Sequence, residues 1–240
     1  MNEELKLHIK KLQRRATLSL VAIISTIISI GFGILFLIIP SFVAIIFFVI
    51  AAVCIVYLIQ SSRTAKKEAK ESIYKPVIFN ADKSLTFEKI VTIFEDLTNE
   101  ENQLSASENV RFFRLKKIFK LRTVIYRTDS FNKKDFDNAK DRINKKANKE
   151  LKISQWVNRM EAGNMMRFNI ICTDVLNDAL YQFLSQNANR NLTRVEGIIN
   201  IAVVGNQIMI PPLYYECDLA EISRYKGVIK FINQVLLNNN

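Results

Sequence analysis

Two short stretches place hydroxyls, carboxylates and a guanidinium where α/β proteins bind ligands. Tyr126-Arg127-Thr128-Asp129 and Ile171-Cys172-Thr173-Asp174 each close a run of β-forming residues and lead into a helical pattern. In open α/β sheets, ligands bind beyond the carboxyl ends of the strands, against helix N-termini. Neighbouring Thr128-Asp129 and Thr173-Asp174 turns would suit a Mg²⁺-bound phosphate, with Arg127 as a further anion contact. The plainer role of both turns is N-capping, because Thr and Asp satisfy the free amides of a first helical turn. Cys172 borders one of them. A thiol at a helix N-terminus can be acidified, but a strand cysteine packing as a small apolar residue requires no activating base.

A second constellation is basic and aromatic. Arg111, Arg114, Lys116, Lys117, Lys120 and Arg122 fall within twelve residues that contain no acid, interleaved with Phe112, Phe113, Leu115, Ile118 and Phe119. Such mixtures suit single-stranded nucleic acid, where bases stack and cations hold phosphates. They equally suit acidic lipid headgroups with apolar residues inserted, or a solvated face over an ordinary core. For a domain tethered close to a bilayer, lipid is the nearer anion and nucleic acid the more distant one.

Absences narrow the chemistry. His8 is the one histidine in 240 residues, so nothing after it can supply a Ser-His-Asp or Cys-His centre or a histidine-based zinc site. Cys54, Cys172 and Cys217 have no paired spacing, which reads as reduced thiols. No P-loop, G-x-G-x-x-G, G-x-S-x-G or kinase signature occurs, and no catalytic residue or cofactor is assigned.

The elements that would position these residues follow from periodicity. Phe87, Ile90, Val91, Phe94 and Leu97 mark an amphipathic helix over 85–98. The polar run 99–109 reads as a loop. Lys117–Arg127 reads as a strand with Phe119, Leu121, Thr123 and Ile125 on one face. Helix 133–151, a short helical stretch around Trp156, a Gly163-Asn164 turn, strand 167–172 and a helix over 175–186 follow. Ile198–Val204 is nearly all apolar, as in a strand covered on both faces. Gly205-Asn206 is a hairpin turn into Gln207–Ile210. After Pro211-Pro212, Asp218-x-x-Glu221 opens a last helix. The expected domain is α/β, in βαβαββα order, with a mixed sheet and flanking helices.

The N-terminal part is of another kind. Between Thr17 and Gln60 there is no Asp, Glu, Lys, Arg or His. Thr17–Ile39 spans about 34 Å as a helix and Ser41–Ile59 about 28 Å, each matching a hydrocarbon core of about 30 Å. Pro40-Ser41 divides them. The stretch is too long for a signal peptide and no cleavage site follows it. Lys6, Lys10, Lys11, Arg14 and Arg15 precede it, and Arg63, Lys66, Lys67 and Lys70 follow it. By the positive-inside rule, both termini are cytoplasmic in a cell-membrane protein. The expected organisation is a basic segment 1–16, a transmembrane hairpin 17–60, a juxtamembrane basic helix 61–75 and a cytoplasmic α/β domain 76–240. Ser25, Ser29 and Gly33 share a helix face suited to close packing, either on the second span or in a homo-oligomer. The basic excess after the membrane segment, 29 Lys and Arg against 21 Asp and Glu, favours anionic partners.

Three functions are compatible with these features. The first is a non-enzymatic, membrane-anchored binding or regulatory module. The second is a membrane-tethered enzyme acting on a phosphate-bearing substrate, with Mg²⁺ at Asp129 and Asp174. The third is an oligomerising membrane effector.

Overall fold

The long apolar run folds as two helices, α1 (Glu3–Leu37) and α2 (Phe42–Glu71). The computed structural model describes residues 3–37, 42–71, 75–115, 121–151, 166–186, 197–213 and 219–237. The basic residues from Lys6 to Arg15 lie within α1, and α2 continues through the charged residues to Glu71, so neither helix stops where its apolar stretch does. Buried positions of α1 (Leu5, Ile9, Leu12, Ala22, Ser29 and Gly33) and of α2 (Ala44, Ala51 and Ala65) follow the three-four spacing of helices packed along their length. Phe32 stacks on Phe47 at 5.4 Å. Near the charged ends, Arg15 Nε donates to Ser61 Oγ at 3.2 Å, and its Nη2 donates to the Ser61 carbonyl. The two basic segments thus lie at the same end of an antiparallel pair.

Of the described residues, those in Met1–Ile73 and Leu213–Ser223 form one compact unit, and those in Tyr74–Pro212 and Arg224–Asn240 form another. The second unit is built on a seven-stranded mixed sheet. Its elements in chain order are β1 (Val77–Asn80), α3 (Phe87–Asp96), β2 (Gln103–Ser107), β3 (Val110–Leu115), β4 (Leu121–Arg127), α4 (Lys133–Glu150), β5 (Met166–Thr173), α5 (Asp178–Gln186), β6 (Gly197–Val204) and β7 (Gln207–Ile210). Helix α6 (Leu219–Phe231) and a closing π-turn (Ile232–Leu237) end the described chain. The spatial order is β1-β7-β6-β5-β4-β3-β2. β4, β5 and β6 are parallel and the remaining pairs antiparallel.

Strand alternation divides the core between two faces. On one, Val110, Phe112 and Val124 pack with Ile143 and Ala147 of α4, and Ile171 and Ala202 pack with Phe136, Leu180, Phe183 and Leu184. On the other, Phe94 of α3 meets Phe113 at 5.4 Å and Phe231 at 5.8 Å, while Phe231 meets Phe168 at 4.8 Å. Gly205 takes φ +59°, the left-handed conformation that lets β6 turn directly into β7. The carbonyls of this turn accept bonds from Ala81 and Leu85 beyond β1.

Two expectations need correction. The polar run 99–109 is not a loop: Glu100–Asn102 forms a 3₁₀ turn and Gln103–Ser107 an edge strand. β2 pairs on one side with β3 and leaves most of its side chains in solvent, so it needs no apolar alternation. β1 is likewise an edge strand of four residues, with Phe79 alone buried. β3 completes a meander with β2 and β4, so the sheet gains three strands ahead of the expected βαβαββα series. Residues 116–120, the Trp156 stretch and the Gly163-Asn164 turn lie outside the described residues.

Candidate functional site at the strand ends

β4 and β5 are parallel neighbours with Arg127 opposite Cys172, so the two Thr-Asp turns emerge side by side. The backbone N–H of Thr128 donates to the Cys172 carbonyl at 3.0 Å, carrying the pairing one residue past β4. Neither Thr-Asp pair caps a helix. The caps are Asn132 and Asn177, three residues after each Asp. Asn132 Oδ1 accepts from the amides of Lys134 at 2.9 Å and Asp135 at 3.5 Å, and Asn177 Oδ1 accepts from that of Leu180 at 2.8 Å. Both connections follow one pattern, Thr128-Asp129-Ser130-Phe131-Asn132 and Thr173-Asp174-Val175-Leu176-Asn177. Reading past the Asp to the Asn, a stronger N-cap than Thr, would have found it in the sequence.

The threonine hydroxyls are engaged within the loops. Thr128 Oγ1 donates to the Ser130 carbonyl at 2.7 Å. Thr173 Oγ1 lies 3.3 Å from the carbonyls of Asp129 and Val175 and accepts from the Val175 amide. Asn177 Nδ2 donates across to Phe131 O at 3.0 Å and Ser130 Oγ at 3.1 Å, so one side chain caps α5 and joins the loops. Phe131 fixes the first loop in the core, with its ring 5.0 Å from that of Phe183. The side chains of Asp129 and Asp174 are exposed.

Arg127 reaches from the end of β4 to Glu88 in the first turn of α3, at 2.6 Å, with both side chains about half-exposed or more. The Glu88 carboxyl is held below the ordinary carboxylate range, chiefly by hydrogen bonding to its own backbone amide at the helix start. Desolvation opposes this, and the Thr86 hydroxyl and then Arg127 add smaller lowering contributions. Cys172, between these loops and the core, is fully enclosed. Burial pushes its thiol well above the usual range, with the Glu88 charge adding and Arg127 opposing, so it packs as an apolar residue rather than acting as a nucleophile.

A cleft of about 390 Å³ opens beside the first loop. Its walls are the β2–β3 turn at Ser107 and Asn109, the end of β4 from Tyr126 to Asp129, and Asp135, Asn138 and Arg142 of α4. Arg127, Thr128 and Asp129 line it, whereas Thr173 and Asp174 are not among its lining residues. Two guanidiniums, two carboxylates and two amides face one space of little net charge, an arrangement for a small polar molecule carrying both donors and acceptors. Among the described residues, no three His, Cys, Asp or Glu side chains group as a metal site would need.

No known protein family, curated protein or solved structure matches this chain.

The basic stretch does not form one surface. Arg111 and Arg114 lie on opposite faces of β3. Arg111 Nη1 donates to Ser105 Oγ at 2.7 Å and to the Ser107 carbonyl at 2.5 Å, bracing the β2–β3 hairpin. Arg114 and Arg122 pair directly across β3 and β4, and Arg122 is buried. Lys116, Lys117 and Lys120 lie outside the described residues, as does Cys217. On the small-residue face of α1, Ser29 and Gly33 are buried and Ser25 is half-buried. A Cβ at Gly33 would stand 3.0 Å from the Phe48 ring of α2. That face is occupied within the chain, and self-association of the helical pair would have to use another.

Proposed function

We propose that this chain is a membrane-anchored binding module. In this reading α1 and α2 span a bilayer with both basic ends cytoplasmic, and the sheet domain takes a small polar ligand in the cleft at the end of β4. The observation that carries the anchor is where the apolar side chains point. Leu5–Leu35 and Ala44–Ala65 are apolar enough to cross a membrane, yet 17% and 11% of their most apolar windows are buried. Among the described residues from Leu18 to Ile59, twenty large apolar side chains are exposed. Removing half of each from water is worth about 1 kcal/mol, or roughly 20 kcal/mol together, more than the 5–15 kcal/mol or so by which a typical domain is stable. Lipid removes that cost, and the bond between Arg15 and Ser61 supports placing both basic segments on one side.

The ligand-binding part rests on the cleft beside a rigidly bonded loop pair, at the strand ends where α/β sheets bind ligands. Fusions at the C-terminus test the anchor. A fluorescent protein that folds only in the cytoplasm should be bright, and a periplasm-dependent phosphatase should be inactive; the opposite pattern, or release of the chain by alkaline carbonate, overturns the anchor. For the ligand, the full chain in detergent is screened by thermal shift against small polar metabolites. Hits should be lost in Arg142→Ala and retained in Asp174→Ala. Mg²⁺-dependent turnover of a nucleotide or phosphoester, abolished by Asp129→Ala and Asp174→Ala, would replace binding by catalysis.

A further inference from the structure

The cleft at the end of β4 has its charges strung along α4. Asp135, Asn138, Ala139 and Arg142 line it, each three or four residues from the next or the next but one, so a single stripe of the helix forms that wall. Asp135 stands in the first turn. Arg142 lies two turns further on, about 10 Å along the axis. Asp129, on the loop that enters α4, lines the cleft as well. Tyr126, half-buried with its ring 5.7 Å from that of Phe136, adds an aromatic residue to the lining.

These charges do not balance once their partners are counted. Arg127 is held at 2.6 Å by Glu88, which is not among the lining residues, so this guanidinium is offset from outside the cleft. On α4, Lys140 pairs with Asp137 at 2.7 Å, and neither they nor Lys133 and Lys134 line the cleft. No hydrogen bond or ion pair joins the side chains of Asp129, Asp135 or Arg142 to another described residue. Two carboxylates and one guanidinium therefore face the space without a partner. A complementary ligand carries two cationic groups and one carboxylate, on a stem long enough to hold a cation and the carboxylate apart. A zwitterion with one amine leaves a carboxylate of the cleft unmatched, a diamine leaves Arg142 unmatched, and a dicarboxylic acid is repelled by both aspartates.

Resting on the ligand-binding reading of the cleft, we propose that it takes a dibasic α-amino acid of the lysine or arginine kind. Arg142 receives the carboxylate, for which a guanidinium offers two parallel donors. Asp135, two turns away, receives the side-chain cation, and Asp129 the α-ammonium. Tyr126 supplies an aromatic surface, which attracts a cation and packs against an aliphatic stem.

Full-length protein in neutral detergent is melted with increasing L-lysine, L-arginine, L-alanine, L-glutamate and putrescine, with sodium chloride at matched ionic strength as control. A saturable rise in midpoint is expected with lysine or arginine. Alanine and putrescine should need about tenfold more, the cost of one charged hydrogen-bonding partner, and glutamate should do nothing beyond salt. Arg142→Gln should weaken lysine binding about tenfold and leave putrescine unaffected, whereas Asp135→Asn should weaken both. Asp137→Asn, which removes a carboxylate of the same helix outside the cleft, should change neither. No rise beyond salt from lysine or arginine, or an unchanged rise in Arg142→Gln or Asp135→Asn, overturns the proposal. Tighter binding of glutamate or of a neutral metabolite, lost in Arg142→Gln, also overturns it but keeps the cleft as a ligand site. The binding reading itself falls only when no metabolite of any class binds in a manner that depends on Arg142.

Discussion

The helical pair and the sheet domain are both rich in apolar residues, but they sort them in opposite ways. Between α1 and α2 the contact from Ala22 onward is made largely by small side chains, Ala22, Ser29, Gly33, Ala44 and Ala51, while isoleucines, leucines and valines face outward. In the sheet domain the largest fully buried groups among the described residues are Tyr225, Phe94, Phe112, Phe113, Phe136, Phe168 and Phe231. Water drives large apolar groups inward. Lipid gives them no such reason to leave the surface, and close backbone approach through small residues then decides the packing. On the proposed reading of α1 and α2 as membrane-spanning, the contrast separates two folding solvents along one chain.

The strongest challenge to that contrast is a pair of truncations. Phe168→Ala in the sheet core should cost about 3–5 kcal/mol, whereas Ile27→Ala, 66% exposed on α1, should change stability by about 0.5 kcal/mol or less. Denaturant titration of the full chain in detergent, followed by a probe in each unit, checks both. Equal losses would mean that the outward face of α1 is packed. A matched pair of glycines sharpens the same point within the helices. Gly33→Leu meets the Phe48 ring and should cost about 1–3 kcal/mol by overpacking, while Gly31→Leu has nothing within 4 Å of its Cβ and should be nearly neutral, as read by melting of helicity.

In the sheet domain, Asn177→Ala removes both a cap and the bonds joining the two loops. It should cost about 2 kcal/mol against about 1 kcal/mol for Asn132→Ala, which removes a cap alone. Equal costs in denaturant titration would separate the loops energetically. The smallest effect is that of Glu88. Its carboxyl titrates lower in the folded chain than in the unfolded one, so its stabilisation is present above the unfolded value of about 4.3 and is lost as pH falls through the folded value. Glu88→Gln should cost a few tenths of a kcal/mol at neutral pH, given the exposure of the pair. The difference from the parent should vanish in acid, and a difference that grew in acid would reverse the sign.

How much was legible depended on how local the signal was. The unbroken apolar run, the helices over 87–96 and 133–150, the apolar strand β6 and the Gly205-Asn206 turn each follow from neighbours within a few residues, and all were readable. β1 and β2 were not, because an edge strand gains its stability from backbone pairing and needs little apolar pattern of its own. At the strand ends the two Thr-Asp pairs stood out, yet the helix caps are Asn132 and Asn177, and Asn177 also joins the loops. Only the distance from each Asp to the helix start shows why.

By itself, then, the sequence determined that this protein has an uncharged helical pair flanked by cations and a strand-and-helix domain after it. Hydrophobic period, chain reach and charge depend on nothing distant. The tertiary structure decided that Thr128 and Thr173 emerge side by side, that Arg111 and Arg114 face opposite ways, and that Arg114, Arg122 and Arg167 fall into one row. Those are matters of strand register between residues as many as 45 positions apart, and register is settled by which faces of several strands can be buried together.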